Sequence, residues 1–93
     1  MRRRFFALVL LASAGTLALA VPAQAAIGLL VVNGVPHENP QRGCYPATSP
    51  VAVENLTSST VLVHSAADCR GPVTLEVGPG ESATASGASY FVE

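Results

Sequence analysis

From residue 26 onward, apolar residues come in short stretches separated by clusters of Gly, Pro, Asn and Ser, and no window of 11 residues keeps a helical period. That is the pattern of an all-β chain. Ile27 to Val32 is aliphatic and β-branched and runs into Asn33-Gly34. This dipeptide favours a two-residue hairpin because both turn positions need a positive φ. Val51–Asn55 and Thr60–His64 alternate, with Leu56–Ser59 read as a four-residue hairpin loop between them. Val73-Thr74-Leu75-Glu76-Val77 has the cleanest alternation in the chain, which predicts Val73, Leu75 and Val77 facing inward. Gly78–Glu81 reads as a turn, Ser82–Ala85 as a weak strand of small residues, and Ser89–Val92 as a closing strand. Pro36, Pro40, Gly43, Pro46 and Pro50 interrupt any regular element, so 36–50 is expected to be an irregular surface connection. Strands at this spacing predict a small antiparallel β-sandwich or a partly open barrel.

The first 25 residues follow a different rule. Arg2-Arg3-Arg4 precedes an apolar run from Phe5 to Val21, Pro22 ends that run, and Ala23-Gln24-Ala25 supplies small residues before a cleavage point. This order predicts a secretory signal peptide over 1–25, cut between Ala25 and Ala26, rather than a membrane anchor. The strong hydrophobicity favours the general secretory route over the twin-arginine route. No cysteine follows the apolar run before Cys44, which excludes a diacylglyceryl anchor. The expected product is an extracellular β mini-domain over 26–93, free of the membrane.

Removing that segment changes the charge. The whole chain has a formal net charge of −1, but in 26–93 only Arg42 and Arg70 oppose six carboxylates, giving −4. Such a balance offers no phosphate-binding footprint and excludes nucleic acid as a partner. The length excludes a second domain and the large dinucleotide-binding and barrel enzyme folds. A domain this small is marginal without a covalent staple. Cys44 and Cys69 are the only cysteines, so an intramolecular disulfide has one possible pairing. A dithiol metal site and an intermolecular pair are the rival readings; export favours the disulfide, and two thiols alone lack the ligand set for zinc.

The residues Asn33-Gly34-Val35, Asn39-Pro40, Gly43-Cys44-Tyr45, Asn55-Leu56-Thr57, Asp68-Cys69-Arg70-Gly71-Pro72, Pro79-Gly80 and Tyr90-Phe91-Val92 together carry a resemblance. The chain resembles short uncharacterised secreted proteins of actinobacteria, with a signal peptide, two cysteines and a β-rich mature part. The excess of Gly, Ala, Arg and Pro over Phe, Tyr, Met, Ile, Asn and Lys agrees with a high-GC bacterial source. The resemblance implies a fold and a compartment and supplies no catalytic or binding residue. A bacterial source also weakens Asn55-Leu56-Thr57 as a glycosylation sequon.

Candidate chemistry is sparse. His37 and His64 are the only histidines, one in a Pro-rich segment and the other on the polar face of an alternating strand. No serine sits in a nucleophile-elbow motif, so the expectation is a non-enzyme. His37, Glu38, His64 and Asp68 share no recognised ligand spacing, and neither a metal nor another cofactor is expected. The segment 36–50, tethered at Cys44, is the candidate partner-binding loop, with His37, Arg42 and Tyr45 as its contact residues. The leading expectation is a non-catalytic binding or structural role toward an extracellular protein or cell-surface partner, with the domain itself monomeric. One alternative is a small protease inhibitor presenting Arg42-Gly43-Cys44, since a rigid loop lowers the entropy cost of binding. Another is surface self-assembly through Leu29–Val32 and Tyr90–Val92, expected near sheet edges at the two termini.

Overall fold

The computed structural model describes residues 25–93, so the signal-peptide reading of residues 1–24 lies outside the described residues. Eight strands follow in order: β1 (Gly28–Val32), β2 (Val35–Glu38), β3 (Gly43–Pro46), β4 (Val51–Thr57), β5 (Val61–Ala66), β6 (Arg70–Val77), β7 (Ser82–Ala85) and β8 (Ser89–Val92). A 3₁₀ turn, Ala67–Cys69, joins β5 to β6. They form two four-stranded antiparallel sheets, ordered β2-β1-β4-β7 and β3-β8-β5-β6. The protein is therefore an all-β, two-sheet sandwich.

The Asn33-Gly34 hairpin forms as its chemistry requires. Asn33 has φ 51° and Gly34 φ 82°, and Val32 pairs with Val35 across the turn. Strict alternation in β4 turns Val51, Val53, Asn55 and Thr57 inward and Ala52, Glu54 and Leu56 outward. The core joins Leu30, Val32, Val51 and Val53 of one sheet to Val61, Val63, Val77, Tyr90 and Val92 of the other, with Ala26 at its end.

Four expectations from the pattern need correction. First, 36–50 is not an irregular connection: β2 and β3 occupy much of it. Proline is tolerated there because both are edge strands. Asn39 N–H donates to the Gly28 carbonyl and Ala47 N–H to the Ala88 carbonyl, which fixes the hydrogen-bonded pairs of each ladder. By the antiparallel alternation, the main chains of Pro36 and Pro46 then face away from their neighbours, where no N–H is needed. Second, β4 and β5 are not a hairpin. They lie in different sheets, and the chain over 58–60 arches across the sandwich. Third, Val73 is 47% exposed. The β5–β6 register runs Val63↔Leu75 and then His64↔Val73, so a bulge at Thr74 shifts Val73 onto the outer face beside His64. Fourth, β1 and β8 are interior strands, each paired on both sides.

Candidate functional site

The two flanks of the sandwich differ. On one, the Thr74 hydroxyl of β6 donates to the Ser86 carbonyl just past β7 at 2.7 Å, linking the two sheets. On the other, β2 and β3 are the facing edges, and a groove of about 450 Å³ opens between them. The groove is the exposed end of the sandwich interior. Val35 and His37 pair with the buried Val32 and Leu30, which puts their side chains on the inner face of their sheet. Tyr45 pairs with the buried Tyr90 on the inner face of the other. The rings of Tyr45 and Tyr90 stack, with centroids 5.3 Å apart and planes 13° off parallel.

Local hydrogen bonds hold these walls. The Tyr45 hydroxyl donates to the Gln41 carbonyl at 2.6 Å, which ties the ring to the segment just before β3. Asn33 clamps the end of the groove: its Nδ2 donates to the Thr48 carbonyl at 3.0 Å, and its Oδ1 accepts the Ala52 N–H at 2.8 Å. Pro46, Ala47 and Thr48 complete the wall that follows β3. Burial pushes the Tyr90 phenol above its ordinary pKa, and the neighbouring Tyr45 adds to the shift. Tyr90 is therefore neutral across the physiological range. Tyrosine rings, aliphatic side chains and one half-buried histidine make a surface suited to apolar or aromatic groups with a polar tip.

Of the three loop residues singled out in the sequence, the fold brings His37 and Tyr45 together in this groove and separates Arg42 from them. Cys44 pairs with Phe91 on the outer face of the second sheet, and the Arg42 guanidinium lies over the Phe91 ring, 5.2 Å from its centroid. Arg42 thus precedes a paired strand rather than standing at the tip of a projecting loop. Val35, Thr48 and Tyr90 were missed in the sequence. The signal for Val35 was its place directly after Asn33-Gly34, where inward positions on the returning strand can be counted. Tyr90 becomes a neighbour only through pairing between β3 and β8. Comparison with protein-family models, curated proteins and solved structures finds no match. The groove is therefore read from its geometry alone.

The remaining candidate residues fall elsewhere. His64 Nδ1 lies 3.0 Å from the Gly71 carbonyl, across the β5–β6 hairpin from the groove residues. Among the described residues no serine hydroxyl is hydrogen-bonded to either histidine, and no three His, Cys, Asp or Glu side chains converge to hold a metal ion. Cys44 and Cys69 form the disulfide, with Cα atoms 5.9 Å apart. It ties β3 to the turn after β5. That turn is demanding, because Asp68 and Cys69 both take positive φ, 60° and 55°, at a cost of about 1 kcal/mol or more each. Buried Ser89 braces it: its hydroxyl accepts the Cys69 N–H at 2.8 Å and donates to the Ala66 carbonyl at 2.6 Å.

Asn55 is the other residue whose role only the fold explains. It is fully buried, and its Nδ2 donates to the carbonyls of Ser59 at 2.7 Å and Val77 at 2.9 Å. Its Oδ1 accepts the N–H and the hydroxyl of Thr57 at 3.0 and 2.6 Å. Both amide hydrogens are engaged, so the asparagine of the sequon is the clamp that shapes the inter-sheet arch.

Proposed function

We propose that residues 26–93 are a secreted, non-catalytic binding domain, exported by the general secretory route, and that the groove between β2 and β3 receives apolar or aromatic side chains of an extracellular protein partner. The observation that carries this reading is the groove itself. It is walled by the Tyr45–Tyr90 stack, Val32, Val35 and Pro46, and it opens between the facing edges β2 and β3, on the flank opposite the Thr74–Ser86 link. Val35 is 54% exposed at its mouth, an apolar side chain available to a ligand. The prolines of β2 and β3 withdraw N–H groups from both rims, so recognition through side chains fits this flank better than addition of a further strand. Tyrosine is suited to such contacts because it offers large area at low entropic cost.

The likeness to short secreted actinobacterial proteins and the predicted signal segment support the extracellular setting. The test is capture from the culture supernatant of producing cells with the immobilised domain. A protein retained by the wild type and by Val73→Glu, on the outer face, and lost with Val35→Glu, in the groove, supports the reading. Retention of the same proteins by Val35→Glu overturns it.

A further inference from the structure

We infer that the Ala25–Ala26 bond is a processing site accessible only before the domain folds, and that the amino group released at Ala26 becomes an internal hydrogen-bond donor of the sandwich. This rests on the export reading above and adds an order of events to it.

In the folded domain Ala26 is fully buried and part of the core, and its nitrogen donates to the Pro40 carbonyl at 2.9 Å. Ala25 forms an antiparallel bridge with Gln41. The residues that follow are held from both sides. Ile27 N–H donates to the Ser58 hydroxyl at 3.1 Å while its carbonyl accepts the Ser58 N–H at 3.0 Å. Gly28 N–H donates to Asn39 Oδ1 at 2.8 Å while its carbonyl accepts the Asn39 N–H at 2.8 Å. Gly28, at φ 123°, lies so close to the Leu56 carbonyl that a Cβ would collide with it. Segments 39–41 and 56–58 therefore flank the chain immediately after the scissile bond.

Hydrolysis adds water to the Ala25 carbonyl carbon and breaks its bond to the Ala26 nitrogen. The carboxylate stays with Ala25, and Ala26 takes up a proton to become an ammonium. The leaving nitrogen is thus the atom that the fold buries against Pro40. A peptidase that grips its substrate as an extended segment needs main-chain groups on both sides of the bond. In the folded chain the groups on the carboxyl side of the bond, from Ala26 to Gly28, already have partners, so cutting requires local opening of 26–28. After cutting, the same nitrogen carries a charge and points a hydrogen at the Pro40 carbonyl, a charge-assisted bond that retains the new terminus in the fold. The sequence of events is transit as an extended chain, cleavage, and only then closure of the sandwich.

The experiment uses the full 93-residue chain, folded and oxidised in detergent micelles, with a purified bacterial signal peptidase; products are read by intact mass and N-terminal sequencing. A second folded chain carries Gly-Ser-Gly-Ser-Gly between Ala25 and Ala26, which moves the cleavage point away from the fold. A third, Val63→Asp, keeps the native junction but loses the core. The folded native chain is expected to be cut roughly 100-fold more slowly than the other two, from the cost of opening several hydrogen bonds at once. Equal rates for the folded native and spacer chains overturn the inference. Absence of cleavage in both the spacer and Val63→Asp chains overturns the export reading, and the inference with it.

Discussion

Replacing Asn55 by Ala removes the clamp under the inter-sheet arch. Four hydrogen bonds meet on this fully buried amide, two donated and two accepted. The Ser59 carbonyl keeps a second donor in the Thr57 hydroxyl at 3.2 Å, and that hydroxyl keeps Ser59 as a partner. The Thr57 N–H and the Val77 carbonyl lose the amide outright. At roughly 1–3 kcal/mol for each of these two buried groups left unsatisfied, the expected loss is about 2–6 kcal/mol. A domain of this size has only about 3–10 kcal/mol of stability in all. Asn55→Asp sharpens the test, because it keeps the size and the accepting oxygen but points a carboxylate oxygen at two carbonyls. It is expected to cost at least as much as Asn55→Ala near neutral pH and less as the carboxyl protonates in acid. Urea denaturation followed by tyrosine fluorescence reads both, since the chain has no tryptophan. A midpoint for Asn55→Ala within about 0.5 kcal/mol of wild type would refute the assignment of the arch to this amide.

Three further outcomes are expected. Because the folded-state pKa of Tyr90 is raised, the stability tied to its neutral form is complete below the ordinary tyrosine pKa of about 10 and is lost as pH climbs from there through the folded value. Tyr90→Phe should flatten this alkaline limb in denaturation midpoints measured from pH 8 to 11, and an unchanged limb would dismiss the linkage. Replacing Cys44 and Cys69 together by Ala opens a loop of 25 residues and should cost about 3.5 kcal/mol, read from the urea midpoint. In the wild type, alkylation should add mass at two thiols only after reduction. Finally, with Arg42 seated on Phe91 beside a paired strand, stoichiometric excess of the domain should leave trypsin activity unchanged, and inhibition would revive the Arg42-Gly43-Cys44 reading.

Local chemistry was enough to settle several elements. The Asn33-Gly34 hairpin, the alternation in β4 and β5, the weak β7 and the closing β8 follow from turn residues and a period of two, both properties of adjacent residues. With two cysteines, the pairing of any internal disulfide also followed from the composition. Other features depended on partners distant in the chain. Pro36 and Pro46 read as strand breakers until the ladders showed that their nitrogens face no neighbour. Val73 reads as core until the bulge at Thr74 changes the parity of β6.

The candidate site divides in the same way. His37 and Tyr45 were recognisable as residues of interest, but Arg42, only three positions from Tyr45, lies on the opposite face of the second sheet. Thr57 read as a loop residue and Asn55 as the end of an alternating strand, although both occupy inward positions of β4 whose hydrogen bonds are met by the arch and by the end of β6. The sequence by itself determined the strand class, the principal hairpin and the covalent staple, because turn dihedrals, side-chain alternation and a single cysteine pair are local or countable. Only the tertiary structure decided which strands share a sheet, which flank stays open and which polar residues are buried. Those outcomes depend on register between segments up to 49 residues apart, such as Gly43 paired with Val92, and a shift of one residue there would reverse every inward and outward face.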